Sequence, residues 1–127
     1  MPECNVFTAA MVGDKNYLIL QMKMLGELPE NLIILEATRK YHFAKPYPEF
    51  LAIYHALKHA GIEFDLIYGA AMWHILLQHQ SNIVGDILYV HSGGLRGNAS
   101  MLDRYKKAKN MSDLGGRNFR QTTHIRA

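Results

Sequence analysis

Short, largely apolar runs alternate along this chain with longer segments whose apolar residues recur every three or four positions. The runs cover residues 6–12, 32–35, 64–68 and 87–90. Brief apolar runs bounded by turn residues are typical of strands covered on both faces of a sheet. The pattern therefore predicts four buried strands, the last of which leads directly into Ser92-Gly93-Gly94.

Helices are predicted between these runs, because a three-and-four spacing places apolar side chains on one helix face. Asp14 provides a cap for the first helix, and Gly26 closes it. A second helix follows the prolines at positions 46 and 48 and ends at Gly61, and Asn98 or Ser100 caps the last. The positions at this spacing are 17, 18, 21, 22 and 25, then 50, 53, 54 and 57, then 72, 75, 76 and 79, and finally 101, 102 and 105, of which Gln21 and His79 are polar.

Strands that alternate with helices indicate an α/β fold with a mainly parallel sheet and flanking helices, because parallel neighbours require a long return path. The length of 127 residues suits one domain. We assign residues 1–109 to this domain. Residues 110–127 lose the apolar periodicity after Gly115-Gly116 and are predicted to form a basic, flexible C-terminal tail.

Composition narrows the classes of protein to consider. The longest apolar runs are too short to span a bilayer, and the N-terminus has neither the basic nor the apolar region of a secretion signal. Cys4 is the single cysteine, so no internal disulfide is expected and a cytoplasmic location is favoured. Seven of the 14 Lys and Arg residues follow residue 103, against one of the 11 acids. We interpret this basic end as solvated, and nucleic-acid binding is not expected.

Two segments carry the candidate chemistry, since ligands of open α/β sheets bind where strands lead into helix N-termini. One is residues 65–73, in which Tyr68 ends a predicted strand and small residues open the next helix. The other is residues 87–98, in which His91 and Ser92 precede two glycines that let a ligand approach the backbone. Each motif alone is weak, because Gly-Gly after a strand is most often a simple turn.

The order and spacing of the two motifs resemble the 1-aminocyclopropane-1-carboxylate deaminase / D-cysteine desulfhydrase family of pyridoxal-phosphate (PLP) enzymes. The resemblance is clearest from Gly61 to Tyr105. It extends more loosely to residues 13–17 and 28–32. It implies that the chain is the C-terminal part of the large domain of a fold type II PLP enzyme, the tryptophan-synthase-β-like fold, acting on a small amino acid.

Site roles follow from the resemblance residue by residue. Tyr68 matches the family's active-site tyrosine, although a free tyrosine has a pKa of about 10 and needs a neighbour to lower it. Ser92 matches the hydroxyl that faces the pyridine nitrogen, and Gly93 and Gly94 let the backbone pass along the ring. His91 is interpreted as a core histidine satisfied by backbone. From the residues alone, the preferred interpretation of Tyr68 is a tyrosine that ends the sheet with its hydroxyl in water.

The chain also departs from the family pattern. Ring-opening members have a glutamate after the tyrosine and many relatives have Gly-Lys, whereas Gly69, Ala70 and Ala71 stand here. The lysine that holds PLP as a Schiff base and the loop that binds its phosphate both precede this region in the family and are not found. Lys15 is rejected as a substitute, because it opens a helix and matches a family position downstream of that lysine.

Two functional hypotheses remain open. The chain is the C-terminal portion of a PLP-dependent lyase or deaminase, inactive until an N-terminal partner chain completes the site, or it is a non-catalytic remnant or interaction module. No metal site is expected, because His55 and His59 share a helix without a carboxylate at zincin spacing. A partial sheet leaves a strand edge and apolar surface open, so we expect the isolated chain to associate as a homo-oligomer or to aggregate.

Overall fold

The computed structural model describes the backbone of residues 4–115 and the side chains of residues 4–111. In this range the chain forms two parallel strands and four helices. One helix connects the two strands, and three helices follow the second strand. The elements, in chain order, are β1 (Val6–Ala9), α1 (Lys15–Lys23), β2 (Leu32–Leu35), α2 (Pro48–His59), α3 (Gly69–His79) and α4 (Asn98–Gly115), with a 3-10 turn at Gln80–Asn82. Val6 lies opposite Leu32 and Ala9 opposite Leu35. The chain is thus a small α/β domain, as the alternating pattern predicts.

Local signals account for the first half of the fold. The Asp14 carboxylate accepts a hydrogen bond of 2.8 Å from the N–H of Tyr17 and caps α1. Pro48 occupies the first turn of α2, where its missing N–H costs nothing. Gly61 ends α2 with a φ of 89°, which glycine adopts without strain. These three predicted helix boundaries are confirmed within one or two residues.

The core lies around α2 and α3 in three apolar clusters. One face of the two-stranded sheet packs on α3, where Ala9, Leu35 and Ile75 are buried together. The other two clusters join α3 to α2 and α2 to α4. Their buried members are Tyr47, Phe50, Ala70 and Ala71 in one, and Tyr54, Leu66, Met101 and Tyr105 in the other.

The second face of the sheet is less well covered. α1 lies on this side but buries none of its residues. An open groove of about 330 Å³ separates α1 from β2. It is lined by Lys15, Ile19, Leu28, Pro29, Leu32, Ile33 and Ile34.

Two of the four predicted strands are wrong. Residues 66–68 form a turn, and residues 87–90 have no strand partner in the described part of the chain. In the first case side chains take the place of sheet neighbours: Asn98 bonds the N–H of Leu66 and the C=O of Phe64, each at 2.8 Å. Phe64 and Leu66 of this apolar run are buried without sheet neighbours, and Leu66, packed on Tyr54 of α2 and Met101 of α4, is only 1% exposed.

The last helix crosses the predicted boundary between domain and tail. α4 continues from Asn98 to Gly115, six residues beyond residue 109, and the rest of the predicted tail, residues 116–127, lies outside the described residues. Asn98 was expected to cap this helix, but its side chain instead bonds the 64–66 segment. None of the helices described here is both long enough and apolar enough to cross a membrane.

Candidate functional site

The two candidate segments meet at the N-terminus of α3, and Asp65 lies at the centre of the contact. The residue is 4% exposed, and its carboxylate accepts three backbone hydrogen bonds. Oδ1 accepts from the N–H groups of Ile67 (2.9 Å) and Tyr68 (2.7 Å), and Oδ2 accepts from that of Gly69 (2.8 Å). A buried carboxylate is tolerated here because it satisfies donors that helix geometry leaves free.

Two glycines allow the chain to pass close to this carboxylate. A Cβ at Gly69 would lie 2.8 Å from Oδ2 of Asp65, and a Cβ at Gly93 would lie 2.9 Å from its Cγ. Gly94 differs, because a Cβ there would meet nothing within 4 Å. The packing therefore requires glycine at position 93 and leaves position 94 free.

An aromatic cluster connects the second segment to α3. The ring of Tyr89 stacks on that of Phe64 at 5.3 Å and meets that of Trp73 edge-on at 5.1 Å. Burial, and to a smaller degree the negative charge of Asp65, raise the pKa of Tyr89 to about 12. The exposed His91 ring lies 4.7 Å from that of Phe64. Tyr89 is thus held neutral at ordinary pH and acts as an anchor rather than as an acid or base.

The predicted site residues lie at the surface around this centre. Tyr68 is 43% exposed, and its ring lies 5.6 Å from that of Phe43. Ser92 and Gly94 are exposed, whereas Gly93 is half-buried. Within residues 4–111 neither the Tyr68 hydroxyl nor the Ser92 hydroxyl forms a hydrogen bond to the protein. Both hydroxyls are therefore open to an incoming molecule.

The residues as arranged do not fit PLP. The N–H groups of Tyr68, Gly69 and Ala70 at the start of α3, where a phosphate would bind, are bonded by the carboxylate and the backbone carbonyl of Asp65. Gly93 packs against that carboxylate without room for a ring between them. A neighbouring pocket encloses about 20 Å³ and is lined by Tyr41 to Lys45 together with Met11, Phe50, Leu66, Ile67 and Ala71. This is room for one water, whereas small-molecule sites occupy roughly 300–1,000 Å³.

A second polar cluster fixes the 38–47 loop to α3. Nε2 of His74 lies 3.0 Å from the Tyr41 hydroxyl and 3.2 Å from Nε2 of Gln78, which also bonds Oγ1 of Thr38 at 2.8 Å. A glutamine nitrogen only donates, so His74 Nε2 accepts and the ring is neutral. Burial lowers the pKa of His74, and the Arg39 charge adds to this while Glu49 opposes it. The cluster depends on the neutral form of the imidazole.

The sequence patterns did not single out Asp65 or His74, and they indicated Asn98 only as a possible cap of the last helix. Asp65 stands four residues before the first residue of α3, whose N-cap position is Tyr68, so the usual capping signal does not mark it. Asn98 bonds backbone groups 32 and 34 positions away in the sequence, and His74 bonds a side chain 33 positions away. No local pattern marks such long-range partners.

A comparison with protein-family models gives no match, and a search of curated proteins finds no match either.

Proposed function

We propose that this chain is the C-terminal portion of a PLP-dependent lyase or deaminase that acts on a small amino acid of the 1-aminocyclopropane-1-carboxylate or D-cysteine type. In this proposal an N-terminal partner chain supplies the lysine and the phosphate loop. The chain alone is inactive and does not hold the cofactor. The proposal rests on the resemblance carried by Tyr68 and by Ser92-Gly93-Gly94.

The observation that best supports it is the meeting of these two segments at the N-terminus of α3. The Tyr68 and Ser92 hydroxyls are both exposed there, free of bonds to the described part of the protein. A partner that covers this surface would exclude water from it, and the chain would then contribute one phenol and one hydroxyl.

Absorbance spectroscopy tests the proposal. The full chain is titrated with PLP alone, and then together with the N-terminal portion of a D-cysteine desulfhydrase that carries the lysine. We expect no visible band from the chain alone and a band with the partner. A band from the chain alone would mean that one of its own lysines bonds the cofactor, and the proposal would be wrong.

The tyrosine assignment needs a matched control. Tyr17 is 49% exposed on α1, close to the 43% of Tyr68. In the reconstituted complex we expect Tyr68→Phe to lower kcat by at least about 100-fold, in the range typical of general acid–base groups, and Tyr17→Phe to leave it unchanged. Equal activity of the two variants would remove Tyr68 from the mechanism.

A non-catalytic interaction module is the second candidate, and the Asp65 contact favours it. Asp65 fills the α3 N-terminus with the protein's own carboxylate, and several large apolar side chains are exposed elsewhere. If the partner binds the chain but neither PLP binding nor turnover appears, the module is the better description.

A further inference from the structure

A turn in the loop between β2 and α2 holds an aromatic side chain at the surface. The N–H of Lys45 donates to the C=O of His42 at 3.3 Å. Phe43 and Ala44 are therefore the two central residues of the turn. The Phe43 side chain is 56% exposed, and its ring lies 5.6 Å from that of Tyr68. The turn thus presents a large aromatic ring to the solvent.

The fold keeps this turn in a conformation that is costly for its sequence. Ala44 has a φ of 55°, a left-handed value that glycine adopts more readily than alanine. The guanidinium of Arg104 donates to the C=O of Ala44 at 2.8 Å, and the N–H of His42 donates to the Tyr47 hydroxyl at 2.8 Å. Backbone strain that the surroundings impose is most often found at functional sites. The exposed position of Phe43 is therefore built into the fold.

Positive charge is concentrated around this turn. Residues 37–48 have three exposed cations and no acid. The bond from Arg104 brings α4 beside the turn, and residues 104–109 of α4 have four exposed cations and no acid. The seven cations are Arg39, Lys40, Lys45, Arg104, Lys106, Lys107 and Lys109. They are half of the 14 Lys and Arg residues, whereas all 11 acids lie outside the two segments.

Two neighbouring acids neutralise only part of this charge. Glu49 pairs with Arg39 at 3.3 Å, and Asp103 pairs with Lys107 at 3.1 Å. Within residues 4–111 the other five cations form no salt bridge. Like charges held close together repel one another, and a polyanion relieves that repulsion.

We propose that residues 39–45 and 104–109, here called the basic aromatic surface, bind single-stranded nucleic acid. Phe43 offers a ring on which a base stacks, and the surrounding Lys and Arg side chains contact the phosphates on either side of that base. The basic end of the sequence alone did not indicate this function. The fold adds the aromatic turn, which Arg104 reaches across 60 positions of the chain.

An acidic protein segment is the main alternative occupant, and the exposed ring argues against it. Carboxylates pair with lysine and arginine, but the face of an aromatic ring is negative and does not attract them. A base, in contrast, stacks on that face while its phosphate meets the cations. The combination of ring and cations therefore fits nucleic acid better than an acidic peptide.

Fluorescence anisotropy tests the proposal, with the full chain titrated into a labelled single-stranded thymidine oligomer of 16 nucleotides. Three or four phosphate contacts give a slope of log K against log salt of about −2 to −3, since each contributes about −0.7 on a single strand. We therefore expect affinity to fall about 20- to 50-fold between roughly 50 and 200 mM salt. No binding at the lower salt concentration would overturn the proposal.

The stacking role is tested at Phe43. Phe43→Ala should raise Kd by at least about 5-fold without changing the salt slope, because a stacked base contributes about 1–3 kcal/mol and no charge is removed. Phe43→Trp should retain binding. Leu25→Ala is the matched control, since Leu25 is 92% exposed after α1, and it should have no effect. Wild-type affinity of Phe43→Ala, with the fold verified by circular dichroism, would overturn the proposal.

The charge role is tested with paired lysines. Lys40→Ala with Lys45→Ala should reduce the salt slope by about 1.4, the value for two lost contacts. Lys15→Ala with Lys23→Ala removes the same charge from exposed positions on α1 and should leave the slope unchanged. Equal effects of the two pairs would show that only net charge matters, contrary to the proposal.

Two further results would assign the binding elsewhere and overturn the proposal. One is loss of binding when the arginines at positions 117, 120 and 126 become alanine while Phe43→Ala still binds. The other is displacement of the oligomer by a glutamate peptide of equal charge, which would indicate an acidic protein partner. Nucleic-acid binding is separable from the proposed enzymatic function, because Tyr68→Phe keeps the ring beside Phe43 and should leave Kd unchanged.

Discussion

Replacing Gly93 with alanine is the sharpest test of how the two candidate segments meet. The added methyl would lie 2.9 Å from Cγ and 3.4 Å from Cβ of Asp65. The Asp65 side chain is held by three backbone hydrogen bonds, so it does not move without losing them. Overpacking of this kind costs about 1–3 kcal/mol. For a domain of this size, about 2 kcal/mol lowers Tm by roughly 6–12 °C.

Gly94→Ala is the control, because the added methyl meets nothing within 4 Å and neither glycine has a positive φ. We expect it to be neutral or to stabilise the fold by about 0.4–1 kcal/mol, through a less flexible unfolded chain. Urea unfolding at one fixed protein concentration measures both free energies. The resemblance to PLP enzymes treats the two glycines alike, whereas the packing separates them.

A double-mutant cycle identifies the cause. In an Asp65→Ala background the carboxylate is gone, so Gly93→Ala should lose most of its cost, giving a coupling energy of about 1–2 kcal/mol. If Gly93→Ala and Gly94→Ala have equal effects, or if the Gly93→Ala cost persists without Asp65, the contact between the two segments is not as described.

Three further changes probe the polar contacts. Tyr105→Phe should lower the free energy of unfolding in urea by about 1–3 kcal/mol, because the Tyr105 hydroxyl bonds both the N–H and the C=O of the buried Tyr47. Tyr89→Phe loses one hydrogen bond of 3.5 Å and should lower it by less than about 1 kcal/mol. Asn98→Ala leaves two buried backbone groups unpaired and should cost about 2–5 kcal/mol, measured as a fall in Tm. Burial lowers the pKa of His74 in the folded state. The stability that neutral His74 contributes is therefore fully present above the pKa of histidine in the unfolded chain, about 6.5, and is lost as the pH falls through the pKa of the folded state. Wild type should therefore lose more stability than His74→Asn between pH 7.5 and pH 5, and equal losses would contradict this.

The sequence predicts those elements whose signals are local. Asp14, Pro48 and Gly61 mark the ends of α1 and α2 through contacts within a few residues, and these boundaries agree with the structure. A strand is different, because it exists only with a neighbour to bond. The run at 87–90 has strand composition but no neighbour in the described residues, and composition carries no information about one.

The candidate site was likewise predicted only in part. Both the Tyr68 and the Ser92 segment were predicted to end strands of the sheet, which is wrong, although Gly69 and Gly93 do meet at the Asp65 carboxylate. The group between them was not predicted, because an aspartate next to Leu66 in an apolar run resembles a strand residue until its three amide partners are known. Burial of Leu66 by α4 is equally invisible locally, since Met101 lies 35 positions further along the chain.

The energies of the contacts made by residues 64–68, compared with the burial available at residues 87–90, indicate how a second chain docks. Extending residues 64–68 into a strand would give up three bonds to the Asp65 carboxylate and two to Asn98, on the order of 5–10 kcal/mol. Covering Leu88 and Val90 returns about 1.5–3 kcal/mol for each side chain. Docking beside residues 87–90 with the turn intact is therefore favoured.

Hydrogen exchange distinguishes the two modes of docking. When the chain associates, the amides of residues 88 and 90 should gain protection, while those of residues 67–69 keep the protection that Asp65 gives them in the free chain. Loss of protection at 67–69 would show that the turn opens on docking. With the turn intact the α3 N-terminus stays bonded to Asp65.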